Sequence, residues 1–231
     1  MPEIAMCSGS IFTPSAPEMS TQLIGKLLEE LSDLNSPPIA MPVPENMPRE
    51  IPRVILTSGD GTIEARLAPA RSDIIWRRST PEVQTLPELA RNVAEHLLKI
   101  HNAIGGPISR FGFIANHFLE VNEPSLRLTA SYISESAQAR MPDPLAQFEI
   151  HWLTRDQLGE FGENNHWVKL RTATINRGSD SVESPVISIE NDVNTVVSDN
   201  QVRNFEHTQI PCFFAAAANR ILDHLDQLVP Q

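Results

Sequence analysis

VILTSGDGTIEARLAP, residues 54–69, is the stretch that shows most clearly which secondary structure this chain forms. Apolar and polar residues alternate on both sides of residues 59–61, and Asp-Gly between two alternating runs is typical of a β-hairpin. A phosphate-binding loop would need a helix N-terminus directly after its glycines. Because a strand pattern that includes Ile63 and Leu67 follows instead, the sequence predicts a turn and not a phosphate cradle.

The chain on the C-terminal side of this hairpin predicts a strand, a helix and a second strand. Residues 72–78 (SDIIWRR) extend the strand pattern, and residues 85–106 have apolar side chains at helical spacing. Thr85 is suited to cap that helix and Gly105 to end it. The alternation returns in residues 107–121, which we interpret as a long central strand.

The flanking regions complete the predicted order of elements. The first twelve residues predict an edge strand, and residues 18–35 carry leucines and an isoleucine at helical spacing. Six prolines between residues 36 and 52 exclude helix and central strand there. Residues 122–140 are ambiguous, although SLRLTASYI has the composition of a strand. After Pro144 the pattern predicts three strands and a final helix over residues 209–229.

These elements together predict an α+β fold with a curved, mainly antiparallel sheet of about seven strands and three packed helices. We interpret residues 1–231 as a single domain, with residues 35–52 as a Pro-rich connecting segment. Residues 53–121 and 144–229 repeat a similar order of strands and helix, which suggests two structurally related halves.

Composition narrows the classes of function. The formal net charge of -11 argues against general nucleic-acid binding, which needs clustered Lys and Arg. No apolar run approaches the roughly 18 residues of a membrane span, and the N-terminus lacks the features of a signal peptide. We therefore expect a cytoplasmic protein without a membrane partner. Cys7 and Cys212 are far apart, so we expect two buried thiols, no metal site and no cofactor.

Several of these segments resemble a sporadically distributed family of uncharacterised bacterial proteins of about this length. The resemblance is carried by the hairpin of residues 54–69 running into IIWRR, and by RFGFIANHFLEV, similar to that family's R-x-G-x-x-x-N segment. ISIENDV followed by a C-terminal helix completes the pattern. It covers residues 53–121 and, more loosely, 144–229. The resemblance implies the fold, and it brings no activity, cofactor or catalytic residue with it.

Histidines supply the candidates for acid–base chemistry. His117 falls on the apolar face of the predicted central strand, beside Asn116, where it is either a hydrogen-bonded core residue or a pocket base. Glu149 and His151 share one face of a later strand. Lys169 and Arg171 would lie opposite them, with Glu190 and Asp192 on the next strand. That arrangement is either a stabilising cross-strand charge ladder or a polar binding face. The weak catalytic candidates are thus Asn116, His117, Glu149 and His151.

Two functions from different classes fit these features. The first is a non-catalytic protein-binding or assembly protein, chaperone-like or an accessory subunit, that holds a protein partner or a second copy of itself. The alternative is an enzyme with an acid–base site assembled around His117 and Asn116. The sequence favours the first, because no complete catalytic set is recognisable. The partner-binding candidates are Pro38, Pro42, Pro44, Trp76 and Trp167.

Overall fold

Nine antiparallel strands form one open sheet in the part of the chain that the structure, a computed structural model, describes: residues 2–44, 46–78, 84–141, 146–176, 183–196 and 203–228. The elements are β1 (Glu3–Phe12), α1 (Thr21–Glu30), β2 (Ile39–Ala40), β3 (Val54–Thr57), β4 (Ile63–Ala68), β5 (Arg71–Arg77), α2 (Leu86–Ile104), β6 (Arg110–Glu120), α3 (Pro124–Tyr132), α4 (Glu135–Gln138), β7 (Glu149–Gln157), β8 (Glu163–Asn176), β9 (Glu183–Thr195) and α5 (Gln209–Leu228).

The strand order across the sheet is β2-β3-β4-β5-β1-β6-β9-β8-β7. The predicted α+β class and the mainly antiparallel sheet are confirmed. The predicted counts were too low, because the described residues form nine strands and five helices, not about seven and three. One strand that the pattern did not indicate, β2, is only two residues long, and the additional helices α3 and α4 lie in the segment whose pattern was ambiguous. That the chain is one domain with two related halves stays a prediction.

Strand β1 lies in the middle of the sheet, so the expectation of an N-terminal edge strand was wrong. Cys7 pairs with Trp76 of β5 on one side and with Ala115 of β6 on the other. Its central position comes from these two pairings, and Cys7 and Ile11 are buried on the same side of it. Its composition alone is mildly apolar, which is equally common in edge strands.

Residues 124–132 form helix α3, which resolves the ambiguous segment as helix and not as the strand that SLRLTASYI could also have formed. Pro124 occupies the first turn of the helix, where its missing N–H costs nothing. Leu128 is fully buried and packs against β8 and β9 residues of the sheet. Tyr132, one helical turn further on, packs against the same cluster, whereas Leu126 is 61% exposed. The apolar residues are therefore not confined to one helical face, which is why the pattern was ambiguous.

The β3–β4 hairpin has the predicted turn. Val54 pairs with Leu67, and Thr57 pairs with Glu64. The Asp60 carboxylate accepts hydrogen bonds from the Ser58 hydroxyl (2.6 Å) and from the Thr62 backbone N–H (3.0 Å), which folds the turn on itself. The glycine loop is therefore part of a strand connection, as predicted.

Helix α2 begins at the predicted cap residue Thr85, which forms a capping box with Glu88. Thr85 Oγ1 accepts from the Glu88 backbone N–H (3.4 Å), and the Glu88 carboxylate accepts from the Thr85 N–H (2.8 Å). We expect Thr85→Ala to lower the free energy of unfolding by about 1 kcal/mol, because it leaves a helix N–H without its acceptor. Urea unfolding measures this value. Thr85→Ser keeps the acceptor and is expected to match the native chain, whereas an Ala variant of native stability would contradict the prediction.

The two faces of the sheet differ in what covers them. One side, which we call the helix face, carries alternating buried residues that pack against α1, α2, α3 and α5 in two apolar clusters. The larger cluster is centred on Phe111, Phe113 and Phe214. The smaller one lies beneath α3 and the end of α5 and reaches strand β7. The opposite side, the open face, bears mostly polar side chains.

Candidate functional site at the sheet edge

The two edges of the sheet are exposed to different degrees. The first edge is strand β2, with only Ile39 and Ala40, in a segment where Pro38 and Pro42 are exposed. Short strands and prolines are common devices that protect an edge against unwanted pairing. The second edge is β7, which is nine residues long and contains no proline. Among the described residues, the sheet therefore has one short edge with nearby prolines and one long edge with no further strand beside it.

The free side of β7 presents its backbone groups at alternate residues. The hydrogen bonds from Thr172 N–H to Phe148 O (3.0 Å) and from Leu158 N–H to Gly162 O (2.9 Å) fix which residues bond to β8. In an antiparallel pair such residues alternate with residues whose N–H and C=O point away from the partner. The outward-pointing groups belong to Glu149, His151, Leu153, Arg155 and Gln157. Within the described residues, no hydrogen bond joins these backbone groups to another element.

Charged and aromatic side chains surround this edge on the open face. Lys169 lies opposite His151, and its Nζ forms a salt bridge with Glu149 Oε1 at 3.2 Å. Trp167 lies opposite Leu153. Trp167 has 42% of its surface exposed, and its ring centroid is 6.5 Å from that of His151. Tryptophan is enriched at protein–protein interfaces, and this one is exposed next to the free edge of β7.

The predicted cross-strand charge ladder is present in the register. Glu149 pairs with Arg171, and Lys169 of β8 pairs with Glu190 of β9. Glu149 Oε1 is also 3.9 Å from His151 Nδ1, and both of these side chains are exposed. Exposed pairs of this kind contribute about 0.2–1 kcal/mol each, so the ladder supports the sheet without making it rigid.

The helix face of the same edge ends in apolar side chains that are only half covered. Phe148, Ile150 and Trp152 pack against the smaller apolar cluster, and each keeps part of its surface exposed. The Trp152 ring lies 6.0 Å from the ring of Tyr132. The cluster thus stops at β7 without a further layer of described residues to close it.

An arginine patch, formed by Ser10, Arg71, Asp73, Arg110 and Phe12, occupies the centre of the open face. The guanidinium carbons of Arg71 and Arg110 lie 5.1 and 5.0 Å, respectively, from the centroid of the Phe12 ring. The Asp73 carboxylate accepts from Ser10 Oγ (2.5 Å) and from Arg71 Nε (2.8 Å).

The neighbouring carboxyl group of Asp192 belongs to the same patch. Burial raises the pKa of Asp192, although its hydrogen bond from Asn194 and the charges of Arg110 and Arg71 oppose that rise. Asp73 is thus paired directly with Arg71, whereas at Asp192 burial outweighs the charges of the two arginines.

The catalytic candidates Asn116 and His117 do not come together. Asn116 lies on the open face, in the row that contains Glu190 and Met6, whereas His117 lies on the helix face between Ile4 and Ile189. His117 is 1% exposed, and neither ring nitrogen has a hydrogen-bond partner among the described residues. Burial lowers the pKa of His117 to about 4. The ring is therefore neutral and enclosed in the core at neutral pH.

The structure separates the partner-binding candidates. Pro38, Pro42 and Pro44 are exposed in the Pro-rich segment, whose residue 45 lies outside the described residues. That segment is attached to the body of the protein by Arg49, which donates to the backbone oxygens of Pro14 and Ala16 at 2.7 and 2.6 Å.

The two tryptophan candidates lie on opposite faces. Trp76 is half-buried and packs against the larger cluster on the helix face, whereas Trp167 is exposed on the open face beside β7. The expectation of two buried thiols was wrong for one of them, since Cys7 is buried and Cys212 is exposed.

The sequence interpretation missed the outward-pointing residues Leu153 and Arg155 and the arginine patch. The alternation in LAQFEIHWL does predict that Leu153 and His151 share a face, because side chains repeat every second residue in a strand. What the alternation could not predict is that β7 is the last strand of the sheet, since strand order depends on long-range pairing.

Neither a known protein-family model nor a curated protein sequence matches this chain. The resemblance to the sporadically distributed bacterial family and the cytoplasmic location therefore stay predictions. None of the helices in the described residues has the length and hydrophobicity that a membrane-crossing helix needs. In the same residues, no group of three or more His, Cys, Asp or Glu side chains is arranged to hold a metal ion.

Proposed function

We propose that this protein is a non-catalytic binding or assembly protein that accepts an extended strand of a protein partner along β7. The observation that carries the proposal is the nine-residue edge whose outward backbone groups make no hydrogen bond within the described residues. A long, uncovered edge strand is a template for pairing, and proteins that have no use for one usually shorten or cover it. This chain does so at β2 and not at β7.

The surroundings of β7 are suited to a strand-shaped ligand. Backbone pairing supplies affinity, while the side chains on either face read alternate residues of the added strand. Trp167 and Leu153 would contact one set of those residues on the open face. The half-covered Ile150 and Trp152 would contact the other set on the helix face.

A proline at the outward-pointing position 153 tests the proposal. Leu153→Pro removes one outward N–H and places the ring in the path of an incoming strand. It leaves the β7–β8 hydrogen bonds intact, because Leu153 does not donate to β8. We expect the full-length tagged Leu153→Pro variant to capture at least about tenfold less stoichiometric partner, or less of its own untagged copy, from cells that naturally express the chain.

Leu153→Ala is the matched control, since it removes the side chain and keeps the backbone N–H. It is expected to retain most of the capture, measured by quantitative mass spectrometry of the eluate. Circular dichroism and thermal unfolding of both variants check that each remains folded. The proposal is wrong if Leu153→Pro, while folded, captures the same protein in the same amount as the native chain.

A further inference from the structure

The charges along β7 are complementary to the charges of a second β7 that runs in the opposite direction. Glu149 and Arg155 are both outward-pointing residues with exposed side chains on the open face, one near each end of the strand. Trp152 lies midway between them. If a two-fold axis passes between Trp152 and the Trp152 of the second copy, Glu149 lies opposite the second copy's Arg155, and Arg155 lies opposite the second copy's Glu149.

Other symmetric registers do not make this match. An axis through Leu153 places Glu149 opposite Gln157 of the second copy and brings His151 opposite Arg155. An axis through His151 places His151 opposite itself and Glu149 opposite Leu153. Like charges directly opposite one another are destabilising, whereas opposite charges contribute favourably. The register centred on Trp152 is the one that pairs both charged residues.

The same register also gives hydrogen-bond partners to the outward backbone groups and covers the half-exposed apolar side chains at the edge. Residues 149, 151, 153 and 155 would exchange about eight backbone hydrogen bonds with the second copy. Trp152 would face its own copy in a pair without backbone hydrogen bonds, where side chains approach most closely. The half-covered Phe148 and Ile150 would lie along the same contact and extend the smaller apolar cluster across it.

We infer that the occupant of β7 is a second copy of this chain, paired antiparallel through an axis at Trp152 to form one continuous sheet. This inference rests on the proposed function, because it names the partner of the same edge. A symmetric pair of this kind pairs four of the five outward-pointing residues of each β7 and so closes the long edge of both copies.

Charge reversal at the two matched positions tests the pairing. Light scattering during size-exclusion chromatography is expected to give the native chain twice its 25.7 kDa mass. Glu149→Arg and Arg155→Glu each place like charges opposite one another twice in the dimer, so each alone is expected to raise the dimer Kd about tenfold or more.

Mixing the two variants is the decisive measurement. A heterodimer of Glu149→Arg with Arg155→Glu pairs opposite charges at both positions, so the mixture is expected to recover a one-to-one dimer. A variant that had lost its fold would not be rescued in this way. Glu29→Arg, an equal change of charge on an exposed residue of α1, is the control and is expected to leave the dimer unchanged.

The outcomes separate this inference from the proposed function. A native chain that is monomeric at about 100 µM, well above typical dimer Kd values, overturns the second copy as occupant. If that monomer still captures another protein in a way that Leu153→Pro abolishes, the edge binds a different partner and the proposed function stands. If it captures nothing, both proposals fail. A dimer that ignores both charge reversals overturns the pairing through β7.

Discussion

Acidification from pH 6.5 to pH 4 is expected to lower the free energy of unfolding by about 3 kcal/mol through His117 alone. The side chain is 1% exposed on the helix face, and burial is the cause that lowers its pKa to about 4. In the unfolded chain the imidazole titrates near pH 6.5. The unfolded state therefore binds a proton over this whole range, while the folded state resists doing so.

The sign follows from that difference. A folded-state pKa below the unfolded value means that the contribution of His117 is fully present above pH 6.5 and disappears as the pH falls towards 4. His166 and His224 change stability in the same direction, because burial is the first cause that lowers the pKa of each. Carboxylates such as Asp60, whose pKa is lowered to about 2 by its hydrogen bonds to Ser58 and Thr62, act at lower pH. Asp192 acts in the opposite direction, because burial raises its pKa, so the native pH dependence has to be compared with that of a His117 variant.

His117→Leu is the variant that assigns the effect to this residue. Leucine is similar in size and does not titrate, and it also removes two buried nitrogens that have no partner among the described residues. We expect the variant to be at least as stable as the native chain at pH 7 and to lose less stability on acidification. Urea unfolding at pH 7.0, 6.0, 5.0 and 4.5 measures both values.

His207→Gln, which removes an exposed histidine, is measured alongside as the control for this series. Equal losses between pH 6.5 and 4.5 in the native chain and in His117→Leu would show that His117 is not the source of the acid sensitivity.

The parts of the fold that could be predicted are those in which local chemistry decides the structure. The Asp60-Gly61 turn, the capping box at Thr85 and the alternation around His117 all depend on residues a few positions apart. The charge ladder could be predicted because β7, β8 and β9 follow one another along the chain. Consecutive strands pair with their neighbours in most sheets.

The parts that could not be predicted depend on residues far apart in the chain. Strand β1 is central only because β5 and β6, both distant in sequence, pair with its two sides. No local pattern distinguishes it from an edge strand. The same reason hides the open edge at β7, which is defined by the absence of a neighbour within the described residues. The opposite orientations of Asn116 and His117, by contrast, could have been predicted from the sequence, because adjacent residues in any strand point to opposite faces.

A methyl group added at Gly9 is expected to separate helices α2 and α5 from strand β1. A Cβ atom at this position would lie 2.4 Å from a side-chain carbon of Val93 and 2.4 Å from one of Phe214. Carbon atoms that are not bonded prefer about 3.5–4.0 Å, so both helices would have to shift. Since Val93 and Phe214 are fully buried in the larger cluster, no solvent-filled space can accept them.

We expect Gly9→Ala to lower the free energy of unfolding by about 1–3 kcal/mol, the usual range for an overpacked core. Urea unfolding at pH 7 measures the change. Gly25→Ala is the matched control, because nothing lies within 4 Å of a Cβ atom there and the residue is inside helix α1. Alanine is the better helix former by about 1 kcal/mol, so the control is expected to change stability in the opposite direction.

A second substitution shows whether the contact with Val93 is the cause. Val93→Ala alone leaves a small cavity and is expected to destabilise the chain. In the presence of Gly9→Ala the same truncation removes one of the two clashes, while the clash with Phe214 remains. The double variant is therefore expected to be more stable than the sum of the two single changes predicts, with a coupling of about 0.5–3 kcal/mol. Strict additivity would mean that the added methyl group is accommodated elsewhere, and that the close approach of α2 to β1 does not depend on glycine at this position.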